Sequence, residues 1–154
     1  MGNVLIESVG IVDVKFGDNV RVIEPVNLYG CNIGAGCFIG PFVEIQKEVV
    51  IGKNCKIQSH SFICELVTIG NDCFIGHGVN FVNDLFSNGS PAGGEKKYWK
   101  STQIGNNVSI GSNATILPVT ISDGVVIGAG AVVTKDIMAP GVYAGVPAKR
   151  IAKL

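Results

Sequence analysis

Residues 33–81 read IGAGCFIGPFVEIQKEVVIGKNCKIQSHSFICELVTIGNDCFIGHGVNF, and a large apolar side chain recurs at every sixth position. The row comprises Ile33, Ile39, Ile45, Ile51, Ile57, Ile63, Ile69, Ile75 and Phe81. An α-helix repeats near every 3.6 residues and an ordinary strand every two, so a period of six matches neither. It is typical of a chain that forms a short strand, turns a corner at a glycine of positive φ, and begins another strand. Three such strands close one triangular coil, which predicts a parallel β-helix.

The period returns after a gap and is weaker before Ile33. The later row is Ile104, Ile110, Ile116, Ile121, Ile127 and Val133, and the earlier one is Phe16, Val22 and Leu28. All three stretches therefore belong to one prism, with an irregular first coil because a terminal coil caps the stack. At about 4.8 Å per coil the prism should be roughly 30 Å tall, which predicts one all-β domain over residues 1–154.

Charge and hydropathy exclude several classes of partner. Lys and Arg number 12 and Asp and Glu number 12, so no basic surplus favours nucleic acid. No apolar run approaches the ~20 residues that span a bilayer, and the first residues lack the positive region of a signal peptide. We expect a soluble, cytoplasmic protein that binds neither nucleic acid nor membrane.

The five cysteines are interpreted as core residues rather than as metal ligands or disulfides. Cys37, Cys55 and Cys73 are spaced by eighteen and occupy the slim inward position where other coils carry Val or Ser. A reduced cysteine behaves there as a small hydrophobic residue. The odd number of cysteines also argues against a disulfide framework, and we expect no metal.

The period fails between Asp84 and Thr102, and residues 85–101 are predicted to project as a loop. The stretch 85–95 reads LFSNGSPAGGE, and Trp99, the only tryptophan, follows beside three lysines. Long loops that interrupt a rigid scaffold are frequent sites of binding residues. This loop either packs on a neighbouring subunit or lines a ligand groove.

Register arithmetic places further polar residues near the loop. With eighteen residues to a coil, Lys47, Glu65 and Asn83 stack along one edge, and Ser59 and His77 stack along the preceding edge. His60 follows Ser59 by one residue and is either a hydrogen-bonded corner residue or part of a site. His77 is the stronger candidate, because it lies at an outward turn and histidine suits proton transfer near neutral pH.

Small residues continue the His77 edge above the loop. Ser112 follows Gly111 and Ala129 follows Gly128, so a groove of small side chains should rise from His77 with backbone N–H groups exposed at the corners. Such a groove could hold a long thin ligand by the ligand's amides. Alternatively, the small corner residues serve only to make tight turns.

Four segments then resemble one known family. They are KIQSHSFICE (56–65), FIGHGVNFVND (74–84), GAGAVVTKD (128–136) and PGVYAGVPAK (140–149). Together with the hexads they resemble the bacterial hexapeptide-repeat acyltransferases, and more narrowly the N-acetyltransferases of nucleotide-linked amino sugars in surface-polysaccharide pathways such as lipopolysaccharide synthesis. The resemblance covers essentially the whole chain, and the Phe-x-Asn-Asp element before the loop is its most discriminating part.

The resemblance implies a left-handed β-helix, a homotrimer, and acetyl-CoA bound between subunits. The left hand rests on the resemblance alone, because the general rule for parallel crossovers favours the right hand. By the same resemblance, Asn83 and Asp84 orient the amine of a UDP- or dTDP-linked sugar, and His77 is a base or a polar contact.

The remaining candidates surround these three residues. The small-residue groove at Gly111, Ser112 and Ala129 is assigned to acetyl-CoA, with Lys135, Lys149 and Arg150 for its phosphates. His60 and Glu65 are candidate substrate-binding residues because of their stacking beside His77 and below Asn83.

Two departures from the family pattern bear on these assignments. Relatives continue the Asn-Asp pair with a loop that contains Pro-Arg, whereas Leu85-Phe86 follows here, which leaves the nucleotide contact open. Relatives also carry a Gly after the proline of the Leu117-Pro118 corner, and its omission here should tighten that corner.

Other functions remain as alternatives. They are an O-acetyltransferase acting on a sugar or serine hydroxyl, for which a histidine base is expected, and a non-catalytic β-helix scaffold. A zinc carbonic anhydrase of this type needs three histidine ligands, and the chain has two histidines.

Overall fold

A computed structural model describes residues 2 and 4–153, so positions 1, 3 and 154 of the expected domain lie outside it. The strands are β1 (Ile11–Val12), β2 (Lys15–Phe16), β3 (Arg21–Val22), β4 (Asn27–Tyr29), β5 (Asn32–Ile33), β6 (Phe38–Ile39), β7 (Glu44–Ile45), β8 (Val50–Ile51), β9 (Lys56–Ile57), β10 (Phe62–Ile63), β11 (Val67–Ile69), β12 (Phe74–Ile75), β13 (Asn80–Phe81), β14 (Thr102–Ile104), β15 (Ser109–Ile110), β16 (Thr115–Ile116), β17 (Thr120–Ile121), β18 (Val125–Ile127), β19 (Val132–Val133), β20 (Gly141–Ala144) and β21 (Lys149–Ala152). One 3₁₀ turn spans Lys96–Tyr98.

The strands form three sheets, each of which takes every third strand. The first sheet runs β1-β4-β7-β10-β13-β16-β19, the second β2-β5-β8-β11-β14-β17, and the third β3-β6-β9-β12-β15-β18-β20-β21. All pairs are parallel except the closing β20–β21 pair. The register advances by eighteen, as in Ile39 beside Ile57 and Ile57 beside Ile75, which confirms the predicted solenoid.

The core is the predicted apolar row. Ile39, Ile57 and Ile75 are each 0% exposed, and the slim positions between rows are buried as well. The first coil is the exception, because none of the described residues forms a coil beneath it: Ile11 is 43% and Phe16 42% exposed. All five cysteines are buried and unpaired, as expected for core residues.

Positive φ occurs at a different corner position from the one that the sequence predicted. The glycine directly after each isoleucine is not left-handed; the left-handed residue stands two positions later, as in Gly130 (φ 68°) and His60 (φ 63°). The Ala131 N–H donates to the Gly128 carbonyl at 3.3 Å, which with a left-handed third residue is the pattern of a type II turn. Asn and Asp tolerate this conformation at other corners.

The glycine after each isoleucine is instead required by close stacking. A Cβ on Gly34 would lie 2.5 Å from the carbonyl oxygen of Gly52, and one on Gly111 would lie 2.4 Å from the Ala129 nitrogen. Adjacent coils therefore approach each other too closely at these corners for any side chain.

Three edges separate the sheets, and each has its own chemistry. We call the edge between the first and second sheets the loop edge (Lys47, Glu65, Asn83). The edge between the second and third sheets is the ladder edge (Lys53, Asn71, Asn106, Asp123), and that between the third and first is the histidine edge (Ser59, His77, Ser112, Ala129). The loop leaves after β13 and the chain re-enters at β14, so the insertion lies at one corner and the register of later coils is preserved.

The corner at Leu117-Pro118 is one residue short, but the strand that follows it still pairs with its neighbour. Thr120 still pairs with Gln103, and Val119 stays buried at 6% exposure. Within the described residues, no helix is long and apolar enough to cross a membrane.

Candidate functional site

His77 lies exposed at the corner that joins the third and first sheets, directly before the left-handed Gly78. Its Nδ1 atom is 2.8 Å from Ser59 Oγ on the coil below. Its backbone is fixed from above, because Asn113 N–H donates to the His77 carbonyl at 2.8 Å. The predicted stacking of Ser59 and His77 is confirmed, and the contact orients the imidazole ring.

His60 lies on the same edge and contacts a different partner. Its ring stacks on Phe42 with centroids 4.8 Å apart and an interplanar angle of 29°. The side chain is exposed and its backbone is left-handed. Its role as a substrate contact therefore remains a proposal, and the stacking on Phe42 is its observed interaction.

At the corners of the described chain, three backbone N–H groups have side-chain acceptors on the ladder edge and none has one on the histidine edge. On the ladder edge, Lys53 N–H donates to Asn71 Oδ1 at 2.8 Å, Asn71 N–H to Asn106 Oδ1 at 2.8 Å, and Asn106 N–H to Asp123 Oδ1 at 2.7 Å. The equivalent groups on the histidine edge are those of Ser59, His77, Ser112 and Ala129, and none has an acceptor among the described residues. A vertical row of donors is thus open to solvent above and below His77.

The candidate phosphate-binding cations are divided between two edges. Lys149 pairs with Ala144, which lies directly above Gly128, so it sits at the top of the histidine edge. Arg150 is tied down, because its Nη2 donates to the Pro140 carbonyl at 2.6 Å. Lys135 follows β19 and lies on the loop edge, away from Ala129 on the same chain.

The loop edge carries the second group of predicted residues. Asn83 Nδ2 donates to the Glu65 carbonyl at 3.2 Å, and Asn83 Oδ1 accepts no hydrogen bond from the described residues. The Glu65 carboxylate is 9% exposed and lies 3.5 Å from Lys47 Nζ and 3.1 Å from Lys96 Nζ. The predicted stack is confirmed, and it leaves one amide oxygen of Asn83 unused.

Asp84 is engaged by its own loop. Its Oδ1 accepts from the Phe86 N–H at 2.9 Å and its Oδ2 from the Ala92 N–H at 2.7 Å. Asp84 also forms an antiparallel bridge with Trp99 across the base of the loop. These contacts make Asp84 a loop-shaping residue in this structure, whereas Asn83 faces the edge.

The loop's three lysines differ in their partners. Lys96 Nζ lies 2.7 Å from Glu48 Oε1 as well as near Glu65, and this lowers the pKa of the Glu48 carboxyl. Lys97 Nζ is 2.6 Å from Glu95. Lys100 has no carboxylate within 4 Å among the described residues, and its backbone N–H donates to the Asn83 carbonyl at 2.9 Å.

The loop encloses a polar cavity of about 200 Å³. Its lining comprises Asp84, Ser87, Asn88, Ser90, Pro91, Ala92, Glu95 and Tyr98. Among residues 2 and 4–153, no cluster of three or more His, Cys, Asp or Glu side chains could hold a metal ion.

The candidate residues fall on the two edges that bound the first sheet. His77 and Asn83 are six residues apart, with β13 between them, a separation of up to about 20 Å. The structure places Gly111, Ser112, Ala129 and Lys149 on the same edge as His77, on the coils above it. It brings Asn83 together with Glu65 and the loop, and not with His77 on the same chain.

Sequence reasoning did not assign roles to Ser59 or Lys100. The spacing of eighteen residues predicts the stacking of Ser59 under His77, but it does not reveal the hydrogen bond between their side chains. The isolation of Lys100 depends on which carboxylates Lys96 and Lys97 reach, and no periodic signal in the loop reveals that.

Comparison with known proteins identifies the repeat. Residues 30–65 match the family model described as bacterial transferase hexapeptide (six repeats), and residues 101–135 match the hexapeptide repeat of succinyl-transferase. The chain belongs to the hexapeptide-repeat acyltransferases. It is 34% identical over 137 residues to the bifunctional protein GlmU of Acidithiobacillus ferrooxidans, a match that covers 81% of the chain and only 29% of that relative.

Solved structures share this fold. A galactoside acetyltransferase in complex with coenzyme A is 33% identical, with a TM-score of 0.64, and the match covers 92% of this chain and 65% of that one. A perosamine N-acetyltransferase from Caulobacter crescentus, in complex with CoA and GDP-perosamine, superimposes with a TM-score of 0.64 at 20% identity, over 93% of this chain and 57% of that one. These similarities confirm the expected left-handed β-helix.

Proposed function

We propose that this protein transfers an acetyl group from acetyl-CoA to the amine of a UDP- or dTDP-linked amino sugar in surface-polysaccharide synthesis. The observation that carries the proposal is the open row of N–H donors along the histidine edge, whereas three consecutive donors on the ladder edge are capped by side chains. A thin ligand with regularly spaced amide carbonyls, such as pantetheine, complements such a row. The galactoside acetyltransferase that shares this fold binds coenzyme A, which supports the choice of donor.

On this proposal the coenzyme lies along Ser112 and Ala129, with its thioester toward His77. Gly111 has no Cβ, so the next coil stacks closely on it and the N–H groups of Ser112 and Ala129 follow each other along the edge. Lys149, at the top of the same edge, is positioned for a phosphate. Arg150 is held by the Pro140 carbonyl and is the weaker candidate of the two.

The acceptor amine is proposed to be held by Asn83. Its free Oδ1 can accept an N–H from the amine, while its Nδ2 is anchored on Glu65. Asp84 contributes by shaping the loop, and Lys100, which is held beside Asn83, is positioned to contact the diphosphate. The amine nitrogen attacks the thioester carbonyl, the C–N bond forms as the C–S bond breaks, and the amine proton passes to His77 or directly to the leaving thiolate.

A homotrimer would reconcile the two edges. Asn83 and His77 lie on opposite borders of the first sheet, so on one chain they are too far apart to act on one atom. In a ring of three prisms, the loop edge of one chain can face the histidine edge of the next. Lys135 would then approach the coenzyme that is bound by its neighbour.

One observation favours transfer to a hydroxyl as the second candidate. His77 is exposed and hydrogen-bonded to Ser59, which is the arrangement expected of a base, and a hydroxyl acceptor needs a base more than an amine does. The 33%-identical galactoside acetyltransferase is consistent with a sugar acceptor of this kind.

The test measures coenzyme A release with a thiol reagent against amino sugars linked to UDP and dTDP, and against galactosides. We expect turnover with at least one nucleotide-linked amino sugar, and loss of that turnover in Asn83→Ala. Turnover only with galactosides would select the hydroxyl acceptor. Absence of thiol release with every acceptor, alongside absence of coenzyme binding by calorimetry, would leave the non-catalytic scaffold. If light scattering shows a monomer and that monomer is fully active, the proposed intersubunit site is wrong.

A further inference from the structure

The side chains of Ser59 and His77 form a hydrogen bond between two exposed corners, outside the core that holds the prism together. Ser59 occupies the first outward position of its corner, and its backbone carbonyl is fixed by the Gly78 N–H at 3.0 Å. Both side chains thus project from corners whose backbones are tied to each other. The Oγ–Nδ1 distance of 2.8 Å is a full hydrogen bond between side chains one coil apart.

We propose that Ser59 is a positioning residue that holds His77 in the tautomer with a proton on Nδ1 and a lone pair on Nε2. This inference rests on the proposed function, in which His77 receives the proton of the acceptor. A base must present an unprotonated nitrogen, and Nε2 is the ring nitrogen with no partner among the described residues. The Ser59 hydroxyl can accept from Nδ1–H or donate to a bare Nδ1, and the proposed role of Nε2 as the base selects the first arrangement.

The same contact serves both protonation states of the ring. When Nε2 takes up the acceptor's proton, Nδ1 keeps its own and continues to donate to Ser59 Oγ, so no rearrangement is required during the step. Without Ser59, the neutral ring would divide between two tautomers and rotate about its side-chain bonds. A fraction of the molecules would then present Nε2–H, which cannot accept a proton.

The expected effect is modest because the partner is an uncharged hydroxyl. Loss of one neutral hydrogen bond corresponds to about a threefold to tenfold reduction in kcat. Loss of the base itself corresponds to about 10² to 10⁴-fold. Because Ser59 acts only through His77, its removal should have no further effect once His77 is gone.

The experiment is a double-mutant cycle with Ser59→Ala, His77→Ala and the double variant, together with Ser59→Thr. We expect Ser59→Ala to lower kcat about threefold to tenfold at unchanged KM for acetyl-CoA. Ser59→Thr should restore the rate, and the double variant should match His77→Ala. Ser109→Ala is the matched control, because Ser109 is an outward serine on β15 whose hydroxyl has no partner among the described residues.

A second measurement reads the tautomer without turnover. In protein labelled with ¹⁵N-histidine at about pH 8.5, where the ordinary imidazole is neutral, the His77 ring shifts should report Nδ1–H in the wild type and a mixture in Ser59→Ala. The His77→Ala spectrum assigns the signals, since His60 is the only other histidine.

The two measurements separate the two ideas. A wild type that releases no thiol refutes the proposed function, and the ring shifts then decide the placement of the proton. Identical His77 shifts in wild type and Ser59→Ala, or additive losses in the cycle, would overturn the role of Ser59.

Discussion

Replacing Ala129 with proline removes one backbone N–H from the histidine edge and leaves the corner intact. Ala129 is the second residue of a type II turn, where proline is favoured. A proline already occupies the equivalent position on a lower coil of the same edge. Pro41 follows Gly40 there, just as Ala129 follows Gly128. The corner therefore accepts the ring, and the variant isolates the contribution of a single donor.

The magnitude follows from one neutral hydrogen bond of about 0.5–1.5 kcal/mol, which corresponds to a loss in coenzyme affinity of about twofold to twelvefold. Unfolding stability should stay the same or rise by up to about 1 kcal/mol, because proline restricts the unfolded chain. Isothermal calorimetry with coenzyme A measures the affinity, and thermal unfolding measures the stability.

The matched control is Ala35→Pro. Gly34-Ala35-Gly36 repeats the tripeptide Gly128-Ala129-Gly130, and both third residues are left-handed, but Ala35 lies on the ladder edge. We expect wild-type affinity in the control. A folded Ala129→Pro variant that binds coenzyme A as tightly as wild type, or an equal loss in Ala35→Pro, would refute the assignment of the coenzyme to the histidine edge.

Three further outcomes are expected. Asn83→Ala should lower kcat/KM by about 10²-fold through lost orientation of the amine, and steady-state kinetics that match wild type would contradict this. Lys100→Ala should raise KM for a nucleotide-linked sugar by about tenfold to a hundredfold. The control Lys97→Ala makes the same charge change on a lysine paired with Glu95 and should leave KM unchanged. Equal effects of the two variants would refute the contact between Lys100 and the diphosphate. Burial raises the pKa of Cys64 to about 12 from an ordinary 9.0, so the folded protein holds it as a thiol and stability should be lost as pH rises above about 9, where unfolded thiols ionise. Thermal unfolding between pH 7 and 10 tests this, and a midpoint that is independent of pH would contradict it.

The sequence predicted the interior of the prism almost completely, because the core repeats with the chain. Every residue of the apolar row from Ile33 to Phe81 is buried, since each inward position meets an equivalent residue one coil away. The physical role of glycine was predicted incorrectly. Gly111 is required because Ala129 stacks directly on it, and the left-handed conformation belongs to the residue two positions later.

The candidate site was predictable where it follows the period and unpredictable where it does not. Eighteen-residue spacing correctly stacks Ser59 under His77 and Glu65 under Asn83. The loop has no period, so the reach of Lys96 back to Glu65 depends on its three-dimensional path. Lys135 follows β19 onto the loop edge, whereas the antiparallel β20–β21 pair returns Lys149 to Ala144 at the top of the histidine edge, although both lysines were assigned to one coenzyme.

The contrast between edges offers a general criterion for locating a ligand on a solenoid. Inward positions are fixed by the core, whereas each corner is free to vary in what it does with its outward N–H. On the ladder edge, Asn71, Asn106 and Asp123 each cap the amide of the coil below. On the histidine edge, Ser112 and Ala129 have side chains too short or too apolar to do so, and water must solvate those amides instead. Because a ligand carbonyl can replace such water at little cost, the stacked uncapped amides of the histidine edge are available to a ligand.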